Sequence, residues 1–253
     1  MATFTERYGE ELSHFCKNDD VPSFRNWAEQ RNDNDWSDFL RVSTQFDAAR
    51  IAKYCLQQGA SPNLLVLSSM AACGAEHVHR VLIENGLNIN EYIEIWKDAL
   101  AAAVKHNNIS WTKFCLDKGA DPNHAKLDDY RSLLAEAAGN GNISIMRLLL
   151  DHGAERKKSG ALIYAAEEGN ADSIKFLLDQ GLDINEIGIE EPTDPRSLED
   201  VGTALHKAIE AHPELVGLLL ATDMNSKDGY GRTPFELAEQ LGRTEILDKL
   251  MLY

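Results

Sequence analysis

One stretch of this chain, GNGNISIMRLLLDHGAE (139–155), returns as EEGNADSIKFLLDQGLD (167–183), as KHNNISWTKFCLDKGAD (105–121) and as ACGAEHVHRVLIENGLN (72–88). A weaker copy precedes these, QFDAARIAKYCLQQGAS (45–61), and two follow, EAHPELVGLLLATDM (210–224) and QLGRTEILDKLMLY (240–253). The glycines that close five of the copies, Gly59, Gly86, Gly119, Gly153 and Gly181, lie 27, 33, 34 and 28 residues apart. A period of about 30 residues is too short to enclose a core of its own. Each copy must bury its apolar face against its neighbours, which is the logic of a solenoid.

Each copy reads as two helices. The second is the clearer. Within 143–151, apolar residues fall at Ile143, Ile145, Met146, Leu148, Leu149 and Leu150, a stripe broad enough to pack on both sides. It ends at Gly153, which can take the left-handed conformation that closes a helix. The first helix is short and small-sided, as in SLLAEAAGNG (132–141) and ALIYAAEEG (161–169). Its paired alanines, Ala137–Ala138 and Ala165–Ala166, admit a close neighbour. The helices meet at polar turns, Gly141–Asn142 and Gly169–Asn170. The sequence therefore predicts an all-α chain of stacked helix-turn-helix units.

Two further motifs carry a resemblance. GADPN (119–123), GASPN (59–63), GLNIN (86–90) and GLDIN (181–185) close units, while GRTPFELA (231–238) and GTALHKA (202–208) open them. With these the chain resembles the ankyrin-repeat proteins. That resemblance implies an ankyrin-repeat solenoid with short β-turn fingers between its helix pairs, and about eight repeats. It also implies a single domain over 1–253. Residues 1–33 are expected to be a divergent N-terminal cap repeat, with Leu12 on its first helix and Val21, Phe24 and Trp27 on its second. Irregular central repeats occupy 34–185, an acidic loop insertion 186–201, and the C-terminal repeats 202–253. The family's opening motif is Thr-Pro-Leu-His, and Ser68, Ala135 and Ile163 stand where its histidine belongs. The side-chain network that links fingers is thus expected to be mostly absent. His206 keeps the slot and is read as a tie from helix to finger, with Thr203 capping the helix ahead of it. His212 falls at the polar turn before Pro213.

The formal net charge is −16. It opposes binding to nucleic acid or anionic lipid, and it attracts a basic protein. No apolar run is long enough to span a membrane, and the opening MATFTERYGEEL lacks a signal-peptide layout. A cytoplasmic or nuclear protein is expected, not a secreted one. Cys16, Cys55, Cys73 and Cys115 are 39, 18 and 42 residues apart, which is not zinc-knuckle spacing. They read as small buried residues. Phosphate-cradling glycine motifs, His-Glu-x-x-His and Gly-x-Ser-x-Gly are all missing. His77 and His79 sit two apart on a helix and so face different ways. The adjacent carboxylates Asp128–Asp129 and Glu190–Glu191 read as solvated turns. No catalytic, cofactor or metal-binding residue is assigned.

In the family, the concave face is built from fingers and the exposed side of the first helices. The position after the histidine slot is expected to be exposed: His14, Val42, Ser69, Ala102, Glu136, Tyr164, Lys207 and Leu237. One turn further come Gln45, Ala72, Lys105, Gly139, Glu167, Glu210 and Gln240. Finger candidates are Trp36, Tyr92, Trp96, Asp128, Asp129, Tyr130, Arg131 and Tyr230. Aromatic residues and arginine concentrate at the energetic centres of interfaces. The candidate partner-binding residues are accordingly Trp96, Asp129, Tyr130, Arg131, Glu136, Tyr164 and Glu167, with Trp27 and Trp111 assigned to the core. The reading is a non-enzymatic protein–protein interaction module that binds a basic segment along an acidic groove. Two alternatives stay open. One is a small-molecule-binding or catalytic solenoid whose pocket is closed by the insertion, with His14, His106 and His124 as the groups to test. The other is the repeat part of a larger scaffold. The apolar end at Leu250, Met251, Leu252 and Tyr253 suggests a homodimer.

Overall fold

The computed structural model describes residues 4–31, 34–90, 98–124, 131–188 and 201–252. Every regular element among them is a helix. The chain divides into two compact units, Met1–Ala102 and Ala103–Tyr253.

In the first unit, α1 (Phe4–Asn18) pairs with α2 (Val21–Glu29), α3 (Trp36–Gln45) with α4 (Ala49–Gln57), and α5 (Leu64–Cys73) with α6 (Glu76–Glu84). First helices stack in the order α1, α3, α5, and second helices in the order α2, α4, α6. Leu12, Phe24, Phe39, Ile51, Met70 and Leu82 are buried between them. Trp27 stacks on Phe24 beside them. Trp36 was expected on a finger. It opens α3 instead and packs edge-on against Phe39 and Tyr54, because its register puts it on the helix face that meets α4.

The division between the units falls within α7 (Ala99–Lys105). The second unit continues with α8 (Ile109–Asp117), α9 (Leu133–Gly139), α10 (Ile143–Asp151), α11 (Ala161–Glu167), α12 (Ala171–Asp179) and α13 (Ala204–Ala211). A short 3-10 helix (Pro213–Leu218), α14 (Pro234–Gln240) and α15 (Thr244–Leu250) complete it. First helices stack as α9, α11, α13, α14, and second helices as α8, α10, α12, the 3-10 helix and α15. The alanine pairs are buried between first helices, and Trp111 is core at 1% exposure. Gly153 closes α10 at φ +90°, a conformation costly for any residue with a Cβ.

Polar side chains stitch successive pairs together. In the first unit, α4 and α6 begin after alanines, Ala48 and Ala75, which cannot cap. The preceding turns supply the caps. Asp19 accepts from the backbone N–H groups of Arg50 (3.0 Å) and Ile51 (2.9 Å), and Asp47 from that of Val78 (2.9 Å) and from His77 Nδ1 (2.6 Å). In the second unit, α8 and α10 are capped by their own Asn108 and Asn142. Asn142 also donates to Asn107 (2.7 Å), and Asn170 donates to the Gly139 carbonyl. Cys16, Cys55 and Cys115 are buried and Cys73 is exposed, one exception to the expectation of burial. Leu250 is buried, whereas Met251 and Leu252 are exposed. Among the described residues, no helix is long and apolar enough to cross a membrane.

Candidate functional site

The site grows from the start of α9. Ser132 caps this helix, accepting from the Ala135 N–H (3.1 Å), and its hydroxyl donates to the Ser159 carbonyl of the next finger (2.7 Å). Arg131 stands immediately before the cap. Its guanidinium lies over the Tyr164 ring, 3.8 Å from the centroid, with Nη1 3.6 Å from Glu136 Oε2. Tyr164 comes from α11 and is half-buried. Its ring lies against Gly139, where a methyl group would overlap the ring carbons. Burial pushes the phenol up to about 12, with Arg131 opposing and the carboxylates of Glu136 and Glu168 adding to the shift. Glu167 follows on α11 and is exposed.

Of the seven candidates, Arg131, Glu136 and Tyr164 thus form one contact cluster, and Glu167 shares the helix of Tyr164. Trp96, Asp129 and Tyr130 lie outside the described residues, as do Tyr92, Asp128, Glu190 and Glu191. The insertion is described only at its base, where the Gly188 N–H donates to the Gly202 carbonyl (3.1 Å). Glu186 there turns inward and accepts from the Gly160 N–H (2.6 Å). That hydrogen bond makes it a structural acceptor, and burial raises its pKa.

The position after the histidine slot is mostly not exposed. Val42, Ala102, Lys207 and Leu237 are buried. First helices approach closely over their alanines, and this position faces the neighbour. Gln45, Ala72, Lys105, Glu167, Glu210 and Gln240, one turn on, are exposed as expected.

Next to this strip, and sharing Glu167 with it, a recess of about 790 Å³ is lined by Glu167, Lys207, Glu210, Ala211, Tyr230, Arg232 and Gln240. Arg232 was missed by sequence reasoning because it sits inside an opening motif and reads as scaffold. Its Nε donates to Asp228 Oδ2 (2.7 Å) and its Nη1 to Gln240 (3.0 Å), and it lies over the Tyr230 ring at 4.8 Å. Burial works to raise the Asp228 pKa, but the hydrogen bonds from Arg232 outweigh it and hold the carboxyl below its usual range.

His206 does what its slot implies. Nδ1 accepts from the Thr203 N–H (3.2 Å), so Nε2 carries the proton and donates to the Arg232 carbonyl (3.1 Å). Burial lowers its pKa, which favours the neutral ring. His14 bonds its own helix at Asn18, the ring of His106 stacks near Trp111, and neither they nor His124 line the recess. Among the described residues, no group of three or more His, Cys, Asp or Glu could hold a metal ion.

Residues 100–188, which span Arg131, Glu136, Tyr164 and Glu167, match the family described as ankyrin repeats, in three copies. No curated protein matches the chain.

Proposed function

The chain is an ankyrin-repeat protein, and on that premise we propose that it is a non-enzymatic module that binds a basic segment of another protein. Ankyrin repeats are in general protein–protein interaction modules. The observation that carries the finer reading is the half-exposed Tyr164 with Arg131 and Glu136 around it and Glu167 beside it, all within the matched repeats. A half-buried tyrosine presents a rigid, amphipathic anchor at low entropic cost. The net charge of −16 steers a cationic partner toward it. Trp96, Asp129 and Tyr130, outside the described residues, remain part of the proposed residue set, and a cytoplasmic or nuclear setting fits the reading.

A basic-peptide array followed by anisotropy titration of the tightest peptide tests this reading. Tyr164→Ala combined with Glu167→Gln should weaken that peptide by about tenfold or more, with the helical circular dichroism unchanged. Equal affinity for variant and wild type sinks the assignment. The recess around Lys207 and Arg232 favours a second reading, a small-molecule site. A rise in melting temperature with a small metabolite, and none with basic peptides, would support it instead.

A further inference from the structure

We infer that the recess lined from α11, α13 and α14 takes one lysine or arginine side chain of the partner segment, with Glu167 as its counter-charge. This rests on the reading of the chain as the binder of a basic segment, and it gives the recess to that partner instead of to a small molecule. Tyr164 and Glu167 stand three residues apart on α11, so they share a helix face. A segment that crosses Tyr164 therefore has the recess, of about 790 Å³ and lined in part by Glu167, directly beside it. That volume admits a whole long side chain.

The charge of the lining selects a cation. Each Arg232 nitrogen is already engaged: Nε and Nη2 both lie 2.7 Å from Asp228 Oδ2, Nη1 donates to Gln240 (3.0 Å), and Nη2 is 3.5 Å from Glu210. Its flat face lies over Tyr230. The Asp228 side chain is only 5% exposed, so this guanidinium is a fixed part of the wall. Lys207, the other cation, is 7% exposed. Against these two cations stand three carboxylates, Glu167, Glu210 and Asp228, which leaves one negative charge in excess. Glu167 is exposed and, among the described residues, makes no hydrogen bond or ion pair. An incoming ammonium or guanidinium meets it without displacing an existing contact. The aliphatic stem then lies along Ala211 and the Tyr230 ring, which is 55% exposed. An acidic side chain would find the donors of Arg232 taken.

The test is a double-mutant cycle on the full chain with the tightest basic peptide of the array. Each lysine or arginine of the peptide is replaced in turn by norleucine, which keeps an aliphatic stem and drops the charge. One replacement should weaken binding to wild type about fivefold and leave binding to Glu167→Gln unchanged. Whether that residue is lysine or arginine identifies the cation. The parent peptide should also shift the Tyr230 ring resonances, and Tyr230→Ala should weaken it. Equal losses in wild type and Glu167→Gln at every position, or a Tyr230 ring unmoved by the peptide, overturn the assignment. That result is distinct from failure of the proposed function itself, which would appear as a chain that binds no basic peptide and would take this assignment with it.

Discussion

Gly139 decides where the Tyr164 ring lies. An alanine inside a helix ordinarily gains about 1 kcal/mol over glycine. At Gly139 the added methyl overlaps the ring, and overpacking of this kind costs about 1–3 kcal/mol. Gly139→Ala should therefore lower stability in urea unfolding where propensity alone says it should raise it, and the Tyr164 ring resonances should shift. A stabilised variant would show that the ring is not seated there. Neither this contact nor the stacking of Arg131 could be read from the chain, because both depend on the distance between neighbouring helices. Tyr164, Glu136 and Glu167 could be read, because they fall at fixed offsets from the alanine pairs. Glu186 misled for a similar reason: by composition it belonged to an acidic loop, yet one backbone N–H turns it inward.

Between elements, the histidine missing at Ala135 has a substitute. His206 Nε2 donates to the carbonyl of Arg232, the residue just before the cap of α14. The Ser132 hydroxyl donates to the carbonyl of Ser159, the residue just before the cap of α11. The same carbonyl position is reached from the helix cap in place of the third helical residue. In this unit the loss of Thr-Pro-Leu-His therefore relocated the link without deleting it. Ser132→Ala removes the link and the cap together and should cost about 1–2 kcal/mol, similar to His206→Ala. Chemical denaturation of both variants checks this, and a neutral Ser132→Ala would contradict it. The helix pairs and closing glycines were legible because they recur. The caps lent by Asp19 and Asp47 were not, since the residues that need them are ordinary alanines one repeat later.

At the scale of the whole molecule, stability should depend on pH through a buried histidine of the first unit. His79 is 2% exposed, and burial lowers its pKa from 6.5 to about 4. The fold favours the neutral ring, so the unfolded chain binds the proton first. Stability present above the unfolded value is lost as pH falls from about 6.5 toward about 4, by up to about 3 kcal/mol. Urea midpoints at neutral and mildly acid pH should fall accordingly, and His79→Gln should flatten part of that slope. An unchanged slope would place the acid sensitivity elsewhere. The proposed partner surface lies in the second unit, on the repeats matched to the family. The most direct measurement of it is amide chemical-shift mapping of the full chain with the tightest basic peptide. Shifts should concentrate on Arg131, Glu136, Tyr164 and Glu167 and spare the outward faces of α10 and α12. Shifts centred on those outward faces, or in the first unit, would contradict a partner surface at Tyr164.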